Sequence, residues 1–381
     1  MPRIALAGLA ALAVAMGVGR FAFTPLLPLM QDDAGLSLAD GGYLAAANYV
    51  GYLAGALWAV RPARPARAIR AALLAIAVAT LAMGLVHSMA WWLALRFAAG
   101  VASAWALVYV SAWALPRLPS GGLLFSGVGV GIALAGALCL VLAQIGAGSA
   151  QAWLTLGLFA FVLGATLWPA IRDGGDAPQA RQTRPMPWTA DAVRLVTCYG
   201  AFGFGYIIPA TYVPAMAKAL VPDPAVFGWA WPLFGATAAM STFLASSRIA
   251  RHGNRRVWAT CAAAMAAGVA APLLVPGAAG IAAAAVLVGG TFMVITMAGM
   301  QEARIVGGAH ASRLMAAMTA AFAAGQVVGP LVVSVLGQRP GGFAAALAMA
   351  AGVLVVSAVA LAIKERPCPT SNACARSIRP R

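Results

Sequence analysis

Gly17-Val18-Gly19-Arg20-Phe21-Ala22-Phe23-Thr24-Pro25 stands in the middle of a run, Ile4 to Met30, that holds no other charge. A run of that length crosses a bilayer as a helix. A cation at its centre is costly unless it faces a cavity or a partner, so such a residue marks a ligand or ion path by default. The glycines and prolines beside Arg20 loosen the helix, as membrane cavities often require. Arg3, the apolar stretch and Ala13-Val14-Ala15 also fit a cleaved signal peptide, but the run continues to Met30 and many others follow. We therefore read it as an uncleaved first span.

Composition fixes the class. The 381 residues are 62% hydrophobic and only 9% charged, where a soluble domain is about one quarter charged. The net charge of +16 does not point to nucleic acid, because the cations lie in short loops between apolar runs and not on one polar face. Cys139, Cys198 and Cys261 fall in apolar runs, and Cys368 and Cys374 in a polar tail, none with metal spacing. His87, His252 and His310 are equally scattered, and no phosphate-binding loop with a following Lys is present. Gly127-Val128-Gly129-Val130-Gly131 is better explained by close helix packing than by a nucleotide fingerprint. No cofactor, metal or catalytic constellation is expected.

Apolar runs between polar or Gly/Pro breaks give twelve spans: 4–30, 38–60, 69–88, 90–114, 121–143, 150–171, 191–219, 225–247, 256–275, 280–303, 312–336 and 342–363. With the N-terminus in the cytoplasm, 21 of the 25 Lys and Arg fall on the cytoplasmic side and two, Lys218 and Arg339, outside, while Arg20 and Arg96 lie within spans. That bias supports the orientation and the even count. The chain thus divides into a first bundle, 1–171; a cytoplasmic linker, 172–190, rich in Gly, Pro and mixed charge; a second bundle, 191–363; and a basic tail, 364–381, expected to be disordered.

The halves resemble one another. Arg61-Pro62-Ala63-Arg64 follows span two and Arg248-Ile249-Ala250-Arg251 follows span eight. Gly127 and Gly131 in span five match Gly325 and Gly329 in span eleven, and Gly19 and Pro25 match Gly203 and Pro209. Duplication of this kind places a transporter's site between the halves near mid-membrane. At this point the chain, from about 1 to 364, resembles the major facilitator superfamily. The basic loops stand where that family has its gating loop, Arg96-Phe97-Ala98-Ala99-Gly100 looks like its span-four motif, and Gly325-Gln326-Val327-Val328-Gly329-Pro330 looks like its Gly-Pro motif, displaced into the second half. More narrowly, Gly17 to Pro28, Asn48-Tyr49-Val50-Gly51-Tyr52-Leu53-Ala54-Gly55 and Gln301-Glu302-Ala303-Arg304 look like the bacterial YbfB/YjiJ-type branch. The resemblance implies an all-α polytopic membrane protein, twelve transmembrane helices in two pseudo-symmetric six-helix bundles, moving a small molecule across the inner membrane by alternating access, as a monomer. It defines no substrate. One departure is that Arg61 to Arg70 contains no Asp, which the family's loop usually carries as part of a latch.

Arg20 offers a planar fork for a carboxylate or phosphate, with Phe23 and Thr24 beside it; the structural alternative is satisfaction by carbonyls freed near Pro25 and Pro28. Asn48 and Tyr52, one helical turn apart, line a cavity or simply bond between helices, with Tyr49 the weaker candidate. For Arg96 the family resemblance implies gating or proton coupling; the structural alternative is snorkelling to the outer interface. Tyr109, Tyr206, Trp229, Trp231, Phe234 and Gln326 are further lining candidates. Glu302 is expected to form a gate pair with Arg304, or with Arg248 and Arg251, and otherwise carries a proton; the inner gate as a whole is Arg61 to Arg70, Arg61 and Arg64 among them, with Arg248 to Arg256 and Glu302. No central Asp or Glu is available for proton drive, which leaves uniport or anion exchange open. The expected function is secondary transport of an organic anion or zwitterion. Export of drugs or metabolites through a mainly apolar cavity is the alternative, and a non-transporting sensor or scaffold is the reading of another class.

Overall fold

The computed structural model describes residues 2–58, 64–118, 121–172, 188–220, 228–337 and 339–363. Arg61, nearly all of the expected linker, and the tail with Cys368 and Cys374 lie outside the described residues. Among those described, the regular structure is helical throughout, and the helices fall where the apolar runs lie. Span one runs Pro2–Leu12, Ala13–Val18 and Phe23–Asp33. Spans two to six are Leu38–Leu57, Pro65–Met83, Met89–Ala114, Gly122–Gln144 and Ser149–Leu167. Spans seven to twelve are Ala190–Leu220, Ala230–His252, Asn254–Leu274, Ala278–Gly307, Ala311–Leu336 and Gly342–Ala362.

Ten of these twelve are long and apolar enough to cross a membrane by composition alone. The two that fall short are spans two and eight, and the reason is visible in their residues. Span two carries Asn48, Tyr49 and Tyr52; span eight carries Thr237, Ser241, Thr242, Ser246 and Ser247. Both pack against the opposite half, span two on eleven and span eight on five, which buries Asn48, Tyr49, Tyr52 and Thr242 away from lipid.

Local signals set the ends. Ser37 caps span two: Asp40 N donates to Ser37 Oγ at 3.1 Å and Ser37 N donates to Asp40 Oδ2 at 3.0 Å. Gly253, at φ 81°, is the single residue between spans eight and nine, a reversal that L side chains resist. Asp33 closes span one onto span six by accepting from Ser149 N at 2.5 Å and from Ser149 Oγ at 2.8 Å.

The repeat read from the sequence is present in the packing. Spans one and five, two and four, three and four, and three and six are neighbours, and so are seven and eleven, eight and ten, nine and ten, and nine and twelve. The matched glycines do matched work. A Cβ on Gly131 would lie 2.3 Å from Ala13 O, and one on Gly127 would lie 2.2 Å from Leu9 O, so span five rides backbone-on-backbone against span one. A Cβ on Gly325 would lie 2.4 Å from Gly200 O, which brings span eleven equally close to span seven. The GVGVG string is a packing surface of this kind, completed by Gly129, whose Cβ would meet Ala239 of span eight at 2.2 Å. The halves meet along spans two and eleven, five and eight, and one and seven.

The cations gather at one end of the bundle. Trp113 Nε1 donates to Arg172 O at 2.9 Å there, and Arg70 donates to Trp168 O and Ile171 O, both at 2.7 Å. We call this the basic end; the opposite, far end carries Asp32, Asp33 and Ser37.

Candidate functional site

The site begins with a defect in span one. From Ala13 to Val18 the backbone is a π-helix, with Gly19 N donating to Val14 O at 3.0 Å and Phe21 N to Met16 O at 3.0 Å. Such widened turns add a residue to the helical circuit and recur at functional sites. This one delivers Arg20 to the interior, 2% exposed. The guanidinium does not turn back to carbonyls near Pro25 and Pro28; Pro28 O is taken by Lys218 Nζ at 2.8 Å. Instead Arg20 Nη2 donates to Gln326 Oε1 of span eleven, in the other half of the chain. Gln326 Nε2 donates in turn to Tyr206 Oη of span seven.

Aromatic rings surround the pair. The Arg20 guanidinium carbon lies 3.9 Å from the Tyr52 ring centroid, 5.4 Å from that of Tyr49 and 5.3 Å from that of Phe21, contacts in which the negative ring faces attract the cation. Tyr206 is stacked between Phe292 and Phe322, each centroid at 5.6 Å. Phe202, Phe234 and Trp231 extend the cluster.

Arg96 is 2% exposed, so it does not snorkel to an interface. Its Nη2 donates to Arg20 O at 3.1 Å, its guanidinium lies 5.0 Å from the Phe23 ring centroid, and Asn48 Nδ2 donates to Arg96 O at 2.9 Å and to Gly19 O at 3.2 Å. Asn48 therefore braces the loosened turn against span four. Arg20 Nε, Arg96 Nε and Asn48 Oδ1 are buried without hydrogen-bond partners. Among the described residues no carboxylate lies within 4 Å of either guanidinium; the ion pairs there involve only Asp191, Glu302 and Asp32.

From Arg20 outward to the far end, further bonds join the halves. Tyr49 Oη and Thr211 Oγ1 lie 3.2 Å apart, Thr24 Oγ1 donates to Ala210 O at 3.0 Å, Ser334 Oγ donates to Ala39 O at 3.2 Å, and Lys218 pairs with Asp32.

Several expected residues fall elsewhere. Trp229 is 61% exposed, just before span eight; Trp231, two residues on and fully buried, is the one that meets Phe21, at 6.3 Å between centroids. A position just before a helix start looks to solvent, and two residues on the chain looks inward. Tyr109 is half-buried, roughly 20 Å along span four from Arg96, and does not join the cluster. Glu302 does not pair with Arg304, Arg248 or Arg251. It accepts from Arg255 Nε and, at 3.1 Å, from Asn254 Nδ2, while Arg255 Nη2 also holds Asp191. Arg194 Nη2 donates to Asp191 at 2.5 Å. These pairs tie spans seven, nine and ten of one half together. Arg64, Arg248, Arg251 and Arg304 are exposed at the basic end. In the first half, Arg70 fills the corresponding bracing role through the carbonyls of Trp168 and Ile171 and by lying 4.8 Å from the Trp168 ring centroid.

Phe292 and Phe322 are not among the residues that stand out in the sequence, and Tyr49 is the weaker candidate of its helix there. Phe322 stands one turn from Gln326 on span eleven, and Phe202 one turn from Tyr206 on span seven, so the helical spacing was a usable signal.

A helical bundle with this repeat, and a buried polar cluster between its halves, is the architecture of a major facilitator transporter, and solved structures of that class match it. The nucleoside transporter NupG, as a D323A mutant, superposes with a TM-score of 0.72 at 13% identity over 94% of this chain and 98% of that one. A bacterial homologue of the human lysosomal transporter Spinster, inward-facing and unoccupied, gives 0.66 at 15% identity over 94% of each chain, and its occupied form gives 0.64 with the same identity and coverage. No curated protein matches in sequence. The family model described as the uncharacterised MFS-type transporter YbfB spans residues 12–362, and the chain belongs to that family. It is a multi-pass membrane transporter and not an enzyme.

Proposed function

We propose that the protein moves a small organic anion, or a zwitterion through its carboxylate, across the bacterial inner membrane by alternating access, with Arg20 as the substrate contact. One observation carries this reading: Arg20 and Arg96 are both buried, side by side, and among the described residues no carboxylate lies against either. A buried unpaired charge costs several kcal/mol, and an anionic substrate supplies the missing partner. Tyr52, Gln326 and Tyr206 complete the polar face of the site and Phe21, Phe292 and Phe322 its apolar face. The basic end is cytoplasmic, with both termini on that side. Residues 1–171 and 191–363 are the two bodies that rock about the site, joined by 172–190, and the working unit is a monomer. Exchange of one anion for another fits the interior better than proton coupling, because Glu302 is held at the basic end by Arg255 and Asn254.

The ring cluster favours a second reading, an exporter of apolar compounds in which Arg20 is structural. Thermal shift of the purified protein against small acids, amino acids, sugars and cationic drugs separates the two. A ligand at one hundred times its Kd stabilises by about 2.7 kcal/mol. Stabilisation by carboxylates that disappears in Arg20→Ala supports the anion site; stabilisation by lipophilic cations alone supports export of apolar compounds.

A further inference from the structure

A second feature of the molecule lies away from Arg20, in a large crevice. It opens at the basic end of the second half and has a volume of about 1340 Å³. Its mouth carries Arg248, Arg251, His252, Arg255 and Arg256, and its walls run inward past Val257, Cys261 and Ala264 of span nine to Gly290 and Val294 of span ten. Gly290 lies roughly 20 Å of helix from Arg304, so the crevice reaches the middle of the bundle.

The mouth and the throat differ in chemistry. Asp191 is the single carboxylate in the lining, and it is held by Arg255 and Arg194. Arg248, Arg251 and Arg256 are exposed, and among the described residues no carboxylate lies within 4 Å of them. The throat contains four hydroxyls, yet each is turned back to its own helix. Ser241 Oγ donates to Ala238 O at 3.2 Å, Ser247 Oγ to Leu244 O at 2.9 Å, Thr260 Oγ1 to Arg256 O at 2.9 Å and Thr291 Oγ1 to Leu287 O at 2.5 Å. Their protons are spent on backbone carbonyls, and the rest of the wall, from Val257 and Ala264 to Gly290 and Val294, is apolar. A free polar solute finds few partners beyond the rim.

We propose that this crevice binds an anionic phospholipid, its headgroup phosphate on Arg248, Arg251 and Arg256 and one acyl chain along Val257, Ala264 and Val294. Charge complementarity at the mouth and an apolar throat of acyl-chain length meet in that one class of ligand, and basic pockets between helices at the cytoplasmic side hold anionic headgroups in this way. The leaflet, but not the binding, rests on the cytoplasmic placement of the basic end.

Native mass spectrometry of the full-length protein in detergent tests it, titrating phosphatidylglycerol or phosphatidylcholine of the same chain length, with glycerol 3-phosphate as competitor. Phosphatidylglycerol is expected to bind at least tenfold more tightly than phosphatidylcholine. The combined Arg248→Ala, Arg251→Ala, Arg256→Ala variant abolishes that preference, and Ala264→Trp, which fills the throat with the rim intact, weakens both lipids. Should the triple variant not fold, Arg256→Gln alone is expected to reduce the preference at least threefold. Equal binding of the two lipids, a preference that survives loss of the arginines, or displacement by millimolar glycerol 3-phosphate overturns the proposal. Arg20→Ala keeps the preference; its loss there would place the lipid in the central site and overturn the proposal as well.

Discussion

Gln326→Leu perturbs the one side chain that both holds Arg20 and belongs to the other half of the molecule. Gln326 is fully buried, accepts from Arg20 and donates to Tyr206. Leucine keeps the volume and deletes both bonds. A hydrogen bond to a charged group is worth about 1.5–3 kcal/mol, and Arg20 Nε already lacks an acceptor, so the arrangement with the far end closed loses roughly that amount. In the alternating-access cycle proposed above, the halves part at this level in the other arrangement and the bond is lost, so the loss falls on one side of the equilibrium only. The population ratio shifts by about 10- to 150-fold toward far-end opening. On the proposed anion reading, an incoming carboxylate no longer competes with Gln326 for Arg20, so its apparent affinity rises. Spin labels at Tyr43 of span two and Val335 of span eleven, 43% and 64% exposed near the far end, report the first effect as a longer distance in pulsed electron resonance; calorimetry with the best-stabilising acid reports the second. If Gln326→Leu leaves the distance distribution and the affinity as in wild type, the bond between the halves carries no conformational weight and the reasoning fails.

Two further predictions concern the scaffold. Gly131→Val drives a branched side chain into Ala13 O, 2.3 Å from the new Cβ; overpacking of this kind costs about 1–3 kcal/mol or more, so the melting temperature should fall by several degrees, whereas Gly352→Val, where a Cβ meets nothing within 4 Å, should change it little. Arg255→Ala strips Glu302 and Asp191 of a shared cation; the melting temperature should drop while the affinity for the stabilising acid stays within about twofold, since the network lies within one half.

The fold was legible because it is written in quantities that survive without coordinates: the spacing of apolar runs, the placement of cations and the recurrence of paired glycines. Gly127/Gly131 and Gly325/Gly329 were readable as packing surfaces, and both lie against the neighbouring helix they would need to touch. Arg20, Asn48, Tyr52 and Gln326 were readable because polar groups in apolar runs are rare. Which of them meet was not readable. The contact between Arg20 and Gln326 crosses 306 positions of sequence and depends on the rotation of span one about its axis, which the π-helix at Ala13–Val18 resets; the glycines there signalled a loosened helix without fixing its register. Trp229 and Trp231 differ by two positions and a reversal of direction at a helix start, a place where periodicity has not yet begun. Glu302 chose Arg255 over Arg304 because side chains at the end of span ten and the start of span nine face one another across helices, a geometry that neighbours in sequence do not have.

The most direct test of the account is counterflow in proteoliposomes. Vesicles holding wild-type protein are loaded with the acid that stabilises it best, and uptake of the labelled acid is followed beside vesicles holding Arg20→Ala at equal protein content. The account predicts rapid uptake by wild type and uptake at the protein-free background for Arg20→Ala, with the variant still folded by its melting curve. Uptake by a folded Arg20→Ala at the wild-type rate would contradict it, and the buried arginine would then be part of the scaffold.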